Sequence, residues 1–216
     1  MSMMDLVRVD HFRGFEAYWS VPFGARTARE GSWEPGPGHA IFKALNGALG
    51  ELPIVAENLG VITPAVEEIR KEHGIPGMYI LQFDASKTSF ELDDIAEDSA
   101  CYTGTHDNDT TLGWFHGGPG DIRSRKEVLQ EQRIVLEKTN GHAETIHLDL
   151  IRLAYATAAR DAIVPMQDYL GLGSEARMNI PGTESGNWRW RMDPDQPTAQ
   201  RCDLIAEMVD AAGRNP

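Results

Sequence analysis

An α/β fold built around a parallel sheet is what this sequence predicts, on three observations. Short apolar runs alternate with segments of helical periodicity along the 216 residues. Turn-forming residues separate the two kinds of segment. Polar residues, carboxylates among them, gather where several apolar runs end, the rim at which parallel α/β proteins place their chemistry. No internal repeat or long low-complexity stretch points to a solenoid or a linker instead.

The elements follow in order. Leu6-Val7-Arg8-Val9-Asp10 reads as a first strand, with Arg8 and Asp10 on one face by strand alternation. A polar loop rich in glycine and proline runs from about Gly24 to Gly38. Ile41, Phe42, Leu45 and Leu49 then share one face of a helix that stops near Gly50. Ile54-Val55-Ala56 is the second strand. Its helix has Thr63 as cap, Pro64 in the first turn and Gly74 at the end. Gly77 to Phe83 reads as a third strand and Cys101 to Thr105 as a shorter fourth. A charged helix from about Asp121 to Lys138 and an amphipathic one using Leu148, Ile151, Tyr155 and Ala158 come next. Ile163-Val164-Pro165-Met166 is the fifth strand, leading into Gly171-Leu172-Gly173. A long loop through Arg191 precedes a closing helix near Ala199 to Ala212. Five strands are fewer than a closed eight-stranded barrel needs.

Bulk properties narrow the function. Hydrophobic residues at 41% and charged residues at 25% suffice for a real core. A formal net charge of −13 without a basic block would repel a phosphate backbone or an anionic bilayer, which argues against nucleic acid and membrane partners. It suits a neutral ligand such as a sugar. No apolar stretch approaches the ~20 residues of a membrane span. The two cysteines, Cys101 and Cys202, lie far apart and outside any paired metal spacing, so a reduced, cytoplasmic setting is expected.

Three strand ends each deliver a carboxylate: Asp10 on the first, Glu57 directly after Pro-Ile-Val-Ala, and Asp107 within His106-Asp107-Asn108 after Tyr-Thr-Gly-Thr. A carboxylate in that position is also a common cap or turn former, so none is decisive alone. His106-Asp107 and Asp10-His11 could suggest metal pairs. The first lacks further ligands at helical spacing, and adjacent residues on a strand face opposite ways, so no metal or cofactor is expected.

These residues match a family. "VRVDHFRGFEAYWSVP" resembles the fourth-strand motif of amylomaltases, the 4-α-glucanotransferases of glycoside hydrolase family 77 also called disproportionating enzymes. "PIVAENLGVITPAV" resembles their fifth-strand motif, "YTGTHDNDTTLGWF" their seventh, and "RMNIPGTESGNWRWR" the loop after their eighth. The motifs occur in the family's order and cover nearly the whole chain. The resemblance implies a partial TIM (β/α)₈ barrel, approximately strands four to eight with their helices. Residues 1–216 would then be a single C-terminal catalytic-barrel fragment, with the N-terminal strands and inserted subdomains absent.

The resemblance also implies roles. Asp10 would be the nucleophile, Glu57 the acid/base, and Asp107 a partner for the secondary hydroxyls of the sugar. Arg8 would pair with Asp10, and His106 would assist Asp107. Asn108, Asn179 and Trp19 would contact substrate, with Tyr18, Trp114, Trp188, Trp190 and Asn187 as further candidates. The implied reaction moves α-1,4-glucan segments between malto-oligosaccharides by retaining double displacement. Two rivals stand beside it: an α-glucan hydrolase of the amylase clan, and a non-catalytic module that binds glucan or assembles with a partner. Open barrel edges would favour self-association and marginal stability in isolation.

Overall fold

The computed structural model describes residues 4–214. They divide into two compact units, the first ending at Met78 and the second beginning at Tyr79.

The first unit opens on β1 (Val7–Val9). Where a loop is expected, a hairpin forms: β2 (Ala17–Ser20) pairs antiparallel with β3 (Ser32–Pro35), with Trp19 opposite Trp33. The two indoles meet edge-on at 5.4 Å, a cross-strand aromatic pair that stabilises a short ribbon. Gly31 and the Pro35-Gly36-Pro37 flank hide this strand from sequence patterning. Gly36 is required for close approach, because a Cβ there would lie 2.4 Å from the Phe15 carbonyl oxygen. α1 (His39–Leu49) follows and ends at Gly50 as expected. Its buried residue is Phe42, stacked on Phe12 at 5.4 Å and edge-on to Phe15 at 5.0 Å. Leu49, placed on the apolar face by periodicity, is exposed instead.

β4 (Ile54–Ala56) lies parallel to β1 in the register Val7–Ile54, Arg8–Val55, Val9–Ala56. α2 (Pro64–Glu72) begins as the sequence indicates: the Thr63 hydroxyl accepts the Val66 N–H at 3.4 Å. Gly74 then turns the chain in a left-handed conformation, with φ +61°. Phe12, Phe42, Ile54, Ala56, Val66, Ile69 and Ile75 form one core. Burying each large side chain contributes about 1.5–3 kcal/mol. Asn58 ties this unit together, accepting the Met78 N–H at 2.9 Å and donating to Glu67 at 2.8 Å. Arg70 forks onto the same Glu67 and holds its carboxyl below the usual carboxylate range.

β5 (Gly77–Ile80) leads into the second unit, and the third expected strand stops there. Leu81-Gln82-Phe83 curls into the short helix α3 (Leu81–Asp84), since an apolar run by itself does not distinguish a buried strand from a buried helical turn. β6 (Ser99–Tyr102) starts two residues and ends three residues earlier than expected, releasing Thr103 to Thr105 from the ladder. α4 (Thr111–His116) has no counterpart in the sequence reading, its single turn and a half being too short for periodicity. α5 (Arg125–Thr139) starts four residues after Asp121, behind a capping box of Ser124 and Glu127. α6 (Ile146–Ala156) ends before Ala158.

β7 (Asp161–Ile163) replaces the fifth run, which the sequence predicts from Ile163 to Met166. Pro165 has no N–H to give a ladder and instead precedes α7 (Met166–Leu170). α8 (Ala199–Ala211) closes the chain, with the Thr198 hydroxyl capping it. β6 and β7 are parallel, Cys101 opposite Ala162, in a sheet of order β5-β6-β7. Leu81, Phe90, Cys101, Phe115, Val135, Ile146 and Leu150 build the main core here, and Ile151, Tyr155 and Met208 seal α6 against α8. No helix among the described residues is long and apolar enough to cross a membrane.

Candidate active site

In the first unit, Val9 and Ala56 form the last rung of the parallel ladder, so Asp10 and Glu57 are the next residues on adjacent strands. Both carboxylates therefore leave the same end of the same two strands. Arg8 reaches forward along its strand to Asp10, with Nη2 2.8 Å from Oδ1. Asp10 is 75% exposed, so this ion pair positions the carboxylate while leaving it open to solvent.

Glu57 is held differently. His11 adopts a left-handed backbone, φ 47°, that turns its N–H onto Glu57 Oε2 at 2.8 Å. Leu59 N–H donates to the other oxygen, Oε1, at 2.9 Å. The Glu57 main chain is tied as well, donating to Val9 at 2.9 Å and accepting from Phe12 at 3.0 Å. One carboxylate is thus exposed and paired with a cation, and its neighbour is clamped by backbone amides. Trp19 lies on the hairpin: its indole N–H donates to the Ala28 carbonyl at 2.6 Å. Trp33, which the sequence reading passed over, is its exposed partner and carries the Arg13 guanidinium 4.3 Å above its ring.

In the second unit, residues from two distant segments converge on Asp107. Asn179 Nδ2 donates to Asp107 Oδ1 at 2.7 Å, across 72 residues of sequence. His106 Nε2 lies 3.5 Å from the other oxygen. Arg177, absent from the sequence candidates, braces both partners, donating to the carbonyls of Asp107 at 2.9 Å and Asn179 at 2.8 Å. The Trp188 ring lies 5.2 Å from that of His106, and its backbone is held at φ 62°. A non-glycine residue in that region carries strain, which persists where surrounding contacts enforce it. Here the Trp188 N–H donates to Met178 at 2.6 Å, and Asn187 closes the same loop by accepting the Ile180 N–H at 3.0 Å.

Asn108 turns back on its own loop, its Oδ1 accepting the Thr105 N–H at 2.9 Å and the Thr105 hydroxyl at 2.8 Å. Trp114 packs into the core, with Arg123 5.4 Å from its ring centre. Asp168, not among the sequence candidates, is the deepest acid of the unit. Only 1% exposed, it accepts the Thr103 hydroxyl and the Thr111 N–H, both at 2.7 Å. Those bonds pin the two ends of the segment that carries His106 and Asp107. No motif marks Asp168, because its partners lie 57 and 65 residues away.

A cavity of about 500 Å³ opens beside Asp107, Asn108 and Asp109, walled by Phe83, Trp114 and Arg177. The larger concavity between α6 and α8, about 870 Å³, contains none of the candidate carboxylates.

Comparison with known proteins gives the context. The family described as 4-alpha-glucanotransferase matches residues 1–197. A 4-alpha-glucanotransferase of Synechocystis is 49% identical over 201 residues, 91% of this chain and 38% of that protein. The one from Thermus thermophilus is 41% identical over 220 residues, 99% of this chain and 43% of that protein. Among solved structures, the amylomaltase of Streptococcus agalactiae in complex with acarbose superposes with a TM-score of 0.89 at 34% identity, over 100% of this chain and 43% of that one. The chain thus has the α/β fold of an amylomaltase and spans about two fifths of the length of the relatives it matches. It belongs to the 4-alpha-glucanotransferase family, glycoside hydrolase family 77.

Proposed function

We propose that this chain supplies the catalytic carboxylates of a retaining 4-α-glucanotransferase, and that the intact protein moves α-1,4-glucan segments between malto-oligosaccharides. The reading rests on one observation: Asp10 and Glu57 follow the last rung of a shared parallel ladder, one exposed beside Arg8 and the other clamped by His11 and Leu59. The strands β1, β4, β5, β6 and β7 would be approximately the fourth to eighth of a (β/α)₈ barrel, in a single C-terminal catalytic portion.

The roles are those that the family resemblance implies for a retaining pair. Asp10 attacks the anomeric carbon while Glu57 hands a proton to the departing glycosidic oxygen, leaving a β-linked glucosyl ester. Glu57 then takes the proton of an incoming glucan hydroxyl, which displaces Asp10 and restores the α configuration. The two carboxyls of such a pair work at roughly 5–5.5 Å. Asp107, steadied by Asn179 and His106, accepts hydrogen bonds from secondary sugar hydroxyls as the ring flattens. Trp188, exposed beside His106, offers a sugar-stacking face. Acarbose, present in the Streptococcus agalactiae complex, mimics an α-glucan and fits the same substrate class. A cytoplasmic setting belongs to the same proposal.

Maltotriose is the test substrate, given to this chain and to a longer protein that contains it. Transfer yields longer oligosaccharides together with glucose. Reducing ends that rise without elongation would replace transfer by hydrolysis, and saturable binding without turnover would leave a glucan-binding module. Asp10→Asn should abolish elongation, and Glu57→Gln should lower it about 10²–10⁴-fold. Unchanged elongation in Asp10→Asn would end the assignment.

A further inference from the structure

We propose that His39, Glu72 and His73 form a binding site for one divalent transition-metal ion, zinc foremost, that clips the start of α1 to the end of α2. This is independent of the glucan chemistry. The three side chains come from two helix termini, His39 opening α1 and Glu72 and His73 ending α2. Their ligand atoms all lie within 4.8 Å of one another. His39 Nδ1 is 3.2 Å from His73 Nε2 and 3.5 Å from Glu72 Oε2. Donors bound to one tetrahedral zinc, at bond lengths of about 2.0–2.2 Å, stand roughly 3.3–3.5 Å apart along each edge. Two edges of that polyhedron are therefore already set.

The surroundings favour a cation. His73 occupies the C-cap of α2, where unpaired carbonyls give a partial negative charge. Its ring is 5.3 Å from the Phe42 ring, and the Phe42 side chain is fully buried, so the imidazole rests on a fixed surface. Lys43, 4.0 Å from Glu72 on the other oxygen, Oε1, is a positive charge that opposes the ion, but it leaves Oε2 directed at His39. Glu72 is half exposed, which gives the ion an entry path and lets water complete the coordination. Two imidazoles and one carboxylate suit zinc, nickel or copper and are poor ligands for magnesium or calcium. The bound ion would staple the aromatic core of Phe12, Phe15 and Phe42 from outside.

The experiment uses the full chain stripped with a chelator and titrated with zinc by calorimetry, alongside thermal melts and metal analysis. One zinc per chain and a melting temperature that climbs with free zinc are expected, with no response to magnesium. His39→Gln, His73→Gln and Glu72→Gln should each weaken uptake at least tenfold, and the double histidine variant should abolish it. His142→Gln, outside the cluster, should leave it intact. Should the variants fold poorly, two readouts on the unmodified chain remain: visible bands of a four-coordinate cobalt(II) complex, and zinc protection of His39 and His73 from acylation. Absence of stoichiometric uptake, or uptake unchanged in the double variant, would overturn the proposal.

Discussion

Asp168 shows how one buried side chain organises residues that must stay exposed. Burial pushes its carboxyl above the usual carboxylate range, and the bonds from Thr111 and Thr103 only partly offset this. A raised native value means that the folded chain holds this proton more tightly than the unfolded one. The stabilising contribution is full below the unfolded carboxyl value, about pH 4, and is lost as pH rises through the native value. Asp168→Asn should remove that loss while preserving an acceptor for Thr111 and a partner for the Thr103 hydroxyl. Denaturant melts across pH should then show a shallower decline above about pH 4 than the parent chain. Asp168→Ala leaves two buried donors unpaired and should cost about 1–3 kcal/mol at any pH. Equal pH slopes for the parent and the Asn variant would refute this account. The lone acid was illegible in the sequence: nothing local distinguishes Asp168 from a surface acid in a short helix.

Elements were readable where their stop and start signals were local, and misread where a long-range bond supplied the signal. α2 was found with its cap, its proline and its terminal glycine because all three act within one helical turn. The helical pattern of α5 extends back to about Asp121, since Asp121-Ile122-Arg123 does nothing to interrupt it, whereas the helix itself starts at Arg125. Instead Arg123 spans Asp121 at 2.5 Å, Glu131 at 2.5 Å and the Trp114 carbonyl, which keeps this segment outside the helix. The true start is the Ser124 hydroxyl accepting the Glu127 N–H at 3.3 Å, with Glu127 bonding back at 2.6 Å. Ser124→Ala should therefore cost about 0.5–2 kcal/mol, read as a lower denaturation midpoint with an unchanged m-value. A midpoint equal to that of the parent chain would show that Arg123 alone fixes the boundary.

For the whole chain, charge and strand edges act in opposition. Among the described residues, β1 pairs only with β4, and β7 lies at the end of its sheet order. Such edges invite pairing with a second copy, while a net charge of −13 keeps copies apart. Raising salt from about 0.01 M to 0.15 M shortens the screening length from roughly 30 Å to 8 Å, so self-association should increase with both salt and protein concentration. Sedimentation velocity across that range is the measurement. A monomer at every salt and concentration would reject edge pairing.

The sequence by itself determined the alternation of strands and helices, the family, and the positions of Asp10 and Glu57 directly after strands, whereas Asp107 lies in a loop beyond the end of β6. Each of those rests on periodicity or on a motif only a few residues wide. Tertiary structure alone decided which groups meet: Asn179 on Asp107 over 72 residues, Trp188 over His106, Thr103 on Asp168 over 65, and His39 against His73 over 34. Spacing along a chain encodes the local geometry of a helix or a strand. It carries no information about which loop a folded core will bring within hydrogen-bond reach, because that is fixed only when distant apolar faces pack together.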